Sequence, residues 1–102
     1  MEVFWTETAK LSFSEELDFI YRKWGNKEVE KFILLSEEFI EILKSGHLEG
    51  KPTDKKDVKF YVISKQTTLV YKLNNSQKRI ELILFWNNLK DPKEFENVIL
   101  RT

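Results

Sequence analysis

The sequence predicts an α+β domain: an N-terminal strand, then a two-helix hairpin packed on a twisted antiparallel sheet, then a short C-terminal helix or tail. Two observations predict it. Residues 57–64 (DVKFYVIS), 67–73 (TTLVYKL) and 79–87 (RIELILFWN) are dense in β-branched and aromatic residues and separated by short polar breaks, the pattern of a three-stranded meander. The stretch before them repeats its apolar side chains at helical spacing, and a sheet with an apolar face needs such a cover.

In chain order, Glu2 to Trp5 is a short apolar segment able to join the sheet as an edge or central strand. Thr6 offers a hydroxyl for a helix start, and Ser12-Phe13-Ser14-Glu15 holds a second capping-box spacing. Phe13, Leu17, Ile20, Tyr21 and Trp24 fall on one side of the first helix, which leaves Glu16, Arg22 and Lys23 to water. Gly25-Asn26 ends that helix, and Asn26 can cap the next one, which makes the hairpin tight.

Across residues 27–45, Val29, Phe32, Ile33, Ser36, Phe39, Ile40 and Leu43 form a stripe that Leu34, Leu35 and Ile42 widen. That breadth predicts a second helix touching both the first helix and the sheet. Glu30, Lys31, Glu37, Glu38, Glu41 and Lys44 make its solvated side, and Ser45-Gly46 stops it. Residues 46–57 then read as one long loop containing the sole histidine, His47, expected to pack against or cap the end of the second helix.

Within the meander, Val58, Phe60 and Val62 share one face, and Lys59, Tyr61 and Ile63 the other. In the last strand, Ile80, Leu82, Leu84 and Trp86 alternate with Glu81, Ile83, Phe85 and Asn87. Beyond Trp86 the pattern breaks, and Phe95, Val98, Ile99 and Leu100 suggest a short helix or a tail tucked onto the body.

At 102 residues the chain is expected to be one domain, residues 1–102, with one modest core. The absence of cysteine excludes a disulfide scaffold and fits a reducing compartment. No signal-peptide pattern opens the sequence and no stretch is long and apolar enough to span a bilayer, so a soluble cytoplasmic protein without a membrane partner is expected. Net charge is zero but uneven: residues 1–49 carry six Lys or Arg against eleven Asp or Glu, and residues 50–102 the reverse, eleven against six. A basic sheet side suits phosphates or an acidic protein segment equally well.

Most motifs that carry chemistry are absent: no glycine-rich phosphate loop, no H-E-x-x-H, no paired cysteines and no nucleophile elbow. No cofactor and no metal are expected. What remains is a set of Lys, Arg, Tyr and Asn residues on and beside the sheet. Metal-independent RNA cleavage needs positive charge at the phosphorane and a group that moves a proton. Lys59, Tyr61 and Lys72 are the candidate catalytic residues, with the lysines supplying charge. Lys55, Lys56, Arg79, Asn87, Asn88 and Lys90 are candidates for holding RNA or an inhibitory protein. Trp5, Trp24, Tyr61, Tyr71 and Trp86 could stack on bases, although in so small a domain such rings are more often core.

The order strand, helix hairpin, basic loop, meander and tail resembles the RelE/ParE toxin superfamily of bacterial type II toxin-antitoxin systems, the plasmid stabilisation proteins. The marks are the opening FWTETAKLSFSEELDFI, the long second helix ending before a Gly-containing loop, TTLVYKLNN, and LFWNNLKDPKEF. The resemblance implies a cytoplasmic bacterial toxin neutralised by a cognate antitoxin. It implies either an mRNA interferase, an RNA-binding endonuclease that cuts mRNA on the ribosome, or a non-enzymatic toxin that binds DNA gyrase or another protein. A third alternative is a member that only binds antitoxin. Lys72 and Lys59 match basic family positions. Thr68 stands where the central strand often has Arg, Leu89 where the ending has Arg, and Phe95 near the family's tail tyrosine or histidine.

Overall fold

Thr6 lies in extended backbone, and its hydroxyl accepts the Ala9 N–H at 3.1 Å, so strand β1 (Glu2–Trp5) passes directly into helix α1 (Glu7–Trp24). The same hydroxyl donates to the Leu82 carbonyl at 2.8 Å, which fixes the helix start on the sheet. The computed structural model describes residues 1–46 and 49–101, so the expectation for His47 lies outside the described residues.

Gly25 joins the hairpin. At φ 88° it closes α1 with its N–H on the Tyr21 carbonyl and immediately precedes α2 (Asn26–Ser45). Asn26, expected as the cap of α2, is instead its first residue. The later strands are β2 (Lys51–Pro52), β3 (Val58–Val62), β4 (Thr67–Asn74) and β5 (Arg79–Asn87), followed by α3 (Pro92–Arg101), which the Asp91 carboxylate caps at the Lys93 N–H.

The five strands form one sheet in the order β1-β5-β4-β3-β2. The meander is antiparallel as expected, but β1 joins β5 in parallel, with Trp5 beside Leu82, so the sheet is mixed. Strand β2, a two-residue pairing inside what read as a continuous loop, is too short to carry a period.

The helix hairpin covers one face of the sheet, where Ile20, Phe32, Phe39 and Leu43 meet Leu69, Tyr71, Ile80, Leu82 and Phe85. Helix α3 covers part of the other, where Ile99 meets Val58 and Val70 with Phe60, Ile83, Leu84 and Phe95 alongside. A β-bulge separates these sets along β5. Val70 pairs with Leu84 and Tyr71 with Leu82, leaving Ile83 as the extra residue. The expected continuous alternation is therefore wrong at that point. Ile80 and Leu82 face the hairpin, Ile83 and Leu84 face α3, and Phe85 returns to the hairpin.

Helix α1 also presents a different line from the one its large apolar residues suggest. Ala9, Ser12, Glu16 and Ile20 are buried, whereas Tyr21 and Trp24 are exposed. Small side chains at 9 and 12 let the helix approach the sheet, and Ser12 uses the proximity. Its hydroxyl donates to the Thr8 carbonyl and accepts the Phe85 N–H at 2.9 Å, beside the bulge. Ser12 is thus a mid-helix tie and not part of a second start. In α2 the buried line is Phe32, Ser36, Phe39 and Leu43, while Leu34, Leu35 and Ile42, expected to widen the packed stripe, face solvent.

Ser12→Ala removes the acceptor of a buried strand N–H. It is expected to cost about 1–3 kcal/mol, read as a lower midpoint in urea unfolding. An unchanged midpoint would show that this tie carries no stability.

Candidate functional site

The proposed catalytic residues divide between the two faces of the sheet. Register pairs Lys59 with Tyr71 and Val58 with Lys72. Directly opposed residues share a face, and Tyr71 belongs to the hairpin-side cluster whereas Val58 belongs to the α3-side cluster. Lys59 and Tyr61 therefore stand on one side, Lys72 on the other.

On the hairpin side the Lys59 ammonium is bonded to the Glu49 carboxylate, which this hydrogen bond and the lysine's charge hold below the usual carboxylate range. Tyr61 is half-buried and stacks on Phe39 with centroids 4.4 Å apart. Tyr71 is fully buried and accepts the Gly50 N–H at 2.7 Å, and burial pushes its phenol above the ordinary value. Each group is engaged in holding the fold.

On the α3 side a pocket of about 230 Å³ is lined by Phe60, Thr68, Trp86, Asn88, Lys90, Pro92 and Phe95. The Phe95 ring lies 5.9 Å from Phe60 and 5.5 Å from Trp86, and the Lys90 ammonium stands 5.3 Å from the Trp86 ring. Asn88 braces the mouth: its side-chain oxygen accepts from Thr68 at 2.7 Å, its amide donates to the Lys65 carbonyl, and its N–H donates to Gln66. Strand pairing and the packing of α3 thus bring together Thr68, Asn88 and Phe95. The lining offers ring faces, one amide and one cation, a surface suited to binding. Among its residues Lys90 alone is titratable.

Behind that pocket lies a group the sequence reading placed in water. Glu16 is buried, and its carboxylate accepts the Thr67 hydroxyl at 2.6 Å and hydrogen-bonds the Asn87 side chain. Burial pushes its carboxyl above the usual range, and the two hydrogen bonds and the charge of Lys90 oppose that rise in part. The Asn87 side-chain oxygen accepts the Leu89 N–H at 2.8 Å, so the buried network orders the turn that carries Asn88 and Lys90. The sequence carries no signal for Glu16 by itself: its place on the line of Ser12 and Ile20 is recognisable only once the small side chains at 9 and 12 are known to face the sheet.

The remaining candidates are scattered. Arg79 is bonded to Glu81 at 2.7 Å and lies 4.8 Å from the exposed Phe4 ring. Lys55 donates to the Leu100 carbonyl at the end of α3, and Lys56 is exposed. Among the described residues no group of three or more His, Cys, Asp or Glu could hold a metal ion, and no helix is long and apolar enough to cross a membrane.

No protein-family model and no curated protein sequence matches the chain. Solved structures match it in fold. A chain of the chromosomal ParDE TA system from P. aeruginosa is 16% identical with a TM-score of 0.71, covering 85% of this chain and 95% of that one. The YoeB/ParE toxin from Agrobacterium tumefaciens is 17% identical with a TM-score of 0.60, covering 86% and 99%. The E. coli RelE toxin is 19% identical with a TM-score of 0.57, covering 99% and 98%. At these identities the likeness is one of architecture: the chain has the RelE/ParE toxin fold.

Proposed function

We propose that this protein is the toxin of a type II toxin-antitoxin pair, acts in the bacterial cytoplasm by binding a protein such as DNA gyrase, and is neutralised by a cognate antitoxin. The observation that carries the protein-target reading is the placement of its side chains. Lys59 and Tyr61 are separated from Lys72 by the sheet, and Tyr71 is buried, so among the described residues no exposed proton-transfer group stands beside a cluster of cations. The helix hairpin, by contrast, exposes Tyr21, Trp24, Leu34, Leu35 and Ile42, side chains of the kind that anchor protein interfaces. The fold shared with the toxins of the ParDE and RelE structures supports the toxin reading.

A second reading, a metal-independent endoribonuclease on the ribosome, is favoured by the ring-lined pocket, where Lys90 stands over Trp86 and Asn88 closes the mouth. Lys72, on the same face of the sheet, would add charge for a phosphate.

Induced expression in a bacterial host separates the two. The protein-target reading expects growth arrest with intact transcripts, relieved by the product of the neighbouring gene and unaffected by Lys72→Ala. New mRNA ends in translated frames, lost in Lys72→Ala and Lys90→Ala, would replace it with the nuclease. Absence of arrest from folded protein would leave an antitoxin-binding role alone.

A further inference from the structure

Along one side of α2 the surface is apolar and uncovered. Trp24 is 52% exposed, Leu35 40%, Ile42 45% and Val62 51%. Two clefts open there and share Leu35. One, of about 440 Å³, lies between Trp24 and Leu35 over Ile20 and Phe32. The other, of about 250 Å³, lies between Leu35, Ile42 and Val62 beside Phe39 and Tyr61.

Leu35 and Ile42 are two helical turns apart, about 10 Å along the axis. Glu38 lies between them on the cleft wall and has no ion pair among the described residues, whereas Glu28 and Glu41 are already matched to Lys31 and Lys44. In the first cleft the Ser64 hydroxyl is buried without a hydrogen-bond partner among the described residues.

We propose that this groove docks an amphipathic helix of the target protein, one that presents apolar side chains to the two clefts and a lysine or arginine on the same face for Glu38. The two clefts on either side of Leu35 take the apolar anchors, and the unmatched carboxylate sets the charge. A second copy of this chain is a poor occupant: residues 1–49 hold eleven acidic against six basic side chains, so two hairpins repel. The inference rests on the protein-target reading above and adds to it the surface and the chemistry of the partner.

Titration of the isotope-labelled intact protein with a synthetic leucine-lysine amphipathic helix, and with its leucine-glutamate counterpart, tests the groove directly. The lysine peptide is expected to shift the amide signals of Leu35, Glu38, Ile42 and Val62 and to bind about tenfold tighter than the glutamate peptide. Glu38→Lys should reverse that preference, and Ile42→Asp should weaken both peptides. Equal binding of the two peptides, or shifts confined to the pocket beneath α3, would overturn the proposal.

In the host, Glu38→Lys should abolish growth arrest while the variant still co-purifies with the neighbouring antitoxin. Arrest that persists in this variant would also overturn it. If the wild-type protein causes no arrest, the protein-target reading fails, and the titration by itself decides whether the groove binds a basic helix.

Discussion

Gly50→Ala is expected to lower the unfolding temperature by about 10 °C, from a cost of about 2 kcal/mol in a chain of this size. A Cβ at that position would stand 2.6 Å from the Phe60 carbonyl oxygen and 2.6 Å from the Tyr71 hydroxyl. The first is backbone held in the β2–β3 pairing and the second a fully buried ring, so neither can withdraw cheaply. The strand β2 segment must lift instead, taking with it the Gly50 N–H bond to Tyr71 and the Glu49–Lys59 contact. Thermal melts followed by circular dichroism check this. Tyr71→Phe, which deletes the hydroxyl and keeps the ring, should cost about 1 kcal/mol and so melt between the two. A Gly50→Ala protein that melts with the wild type would show that this approach is not close.

Thr67→Val is expected to cost about 2–3 kcal/mol at neutral pH and distinctly less at pH 4, because it withdraws a hydrogen bond from a buried carboxylate. The sign follows from Glu16. Its folded-state carboxyl is raised by burial, so the folded protein holds a proton more tightly than the unfolded chain. Glu16 therefore detracts nothing below the unfolded carboxyl's range and detracts increasingly as pH rises through the folded value. Removing the Thr67 hydroxyl raises that folded value further and deepens the loss on the alkaline side. Glu16→Gln should flatten the pH dependence in both backgrounds. Urea midpoints measured from pH 4 to pH 8 would show it, and a Thr67→Val cost independent of pH would mean that Glu16 is not ionised in the folded protein.

The meander and both hairpin helices were legible because each carries its own period or caps, from Thr6 at the start of α1 to Gly46 at the end of α2, whereas the last element was legible only as a helix or a tail, and it is the helix α3. The two faces of β3 were legible too, since Val58 and Phe60 alternate cleanly with Lys59 and Tyr61. What lay beyond reach were properties of pairs of elements. That Lys72 opposes Val58 is a matter of register, which turn lengths set and local composition does not reveal. The bulge at Ile83 sits in a run of apolar residues where either face is acceptable, so alternation could not locate it. Glu16 misled in another way: on a helix a charged residue reads as solvated until a hydroxyl from a distant strand, here Thr67, is known to meet it.

The candidate site was half legible for the same reason. Asn88 and Lys90 stood out as polar residues after a strand, but the rings of Phe60 and Phe95 that complete the pocket come from elements whose meeting depends on how α3 returns across the sheet.

The parallel pairing of the first strand with the last sets a timetable. Strand β1 and the hairpin are made early, yet Trp5 has no partner until Leu82 exists, and synthesis at about 5–20 residues per second separates the two by several seconds. Through that interval the apolar line of Phe32, Phe39 and Leu43 lacks Ile80, Leu82 and Phe85, the part of its cover that β5 supplies. The hairpin and the β2-β3-β4 pairings need no later element, but the sheet is joined to its first strand only when β5 arrives to seat β1 on one edge and β4 on the other. A ribosome-bound nascent chain that stops short of β5 therefore offers a hairpin and an unpaired strand to whatever chaperone is nearby.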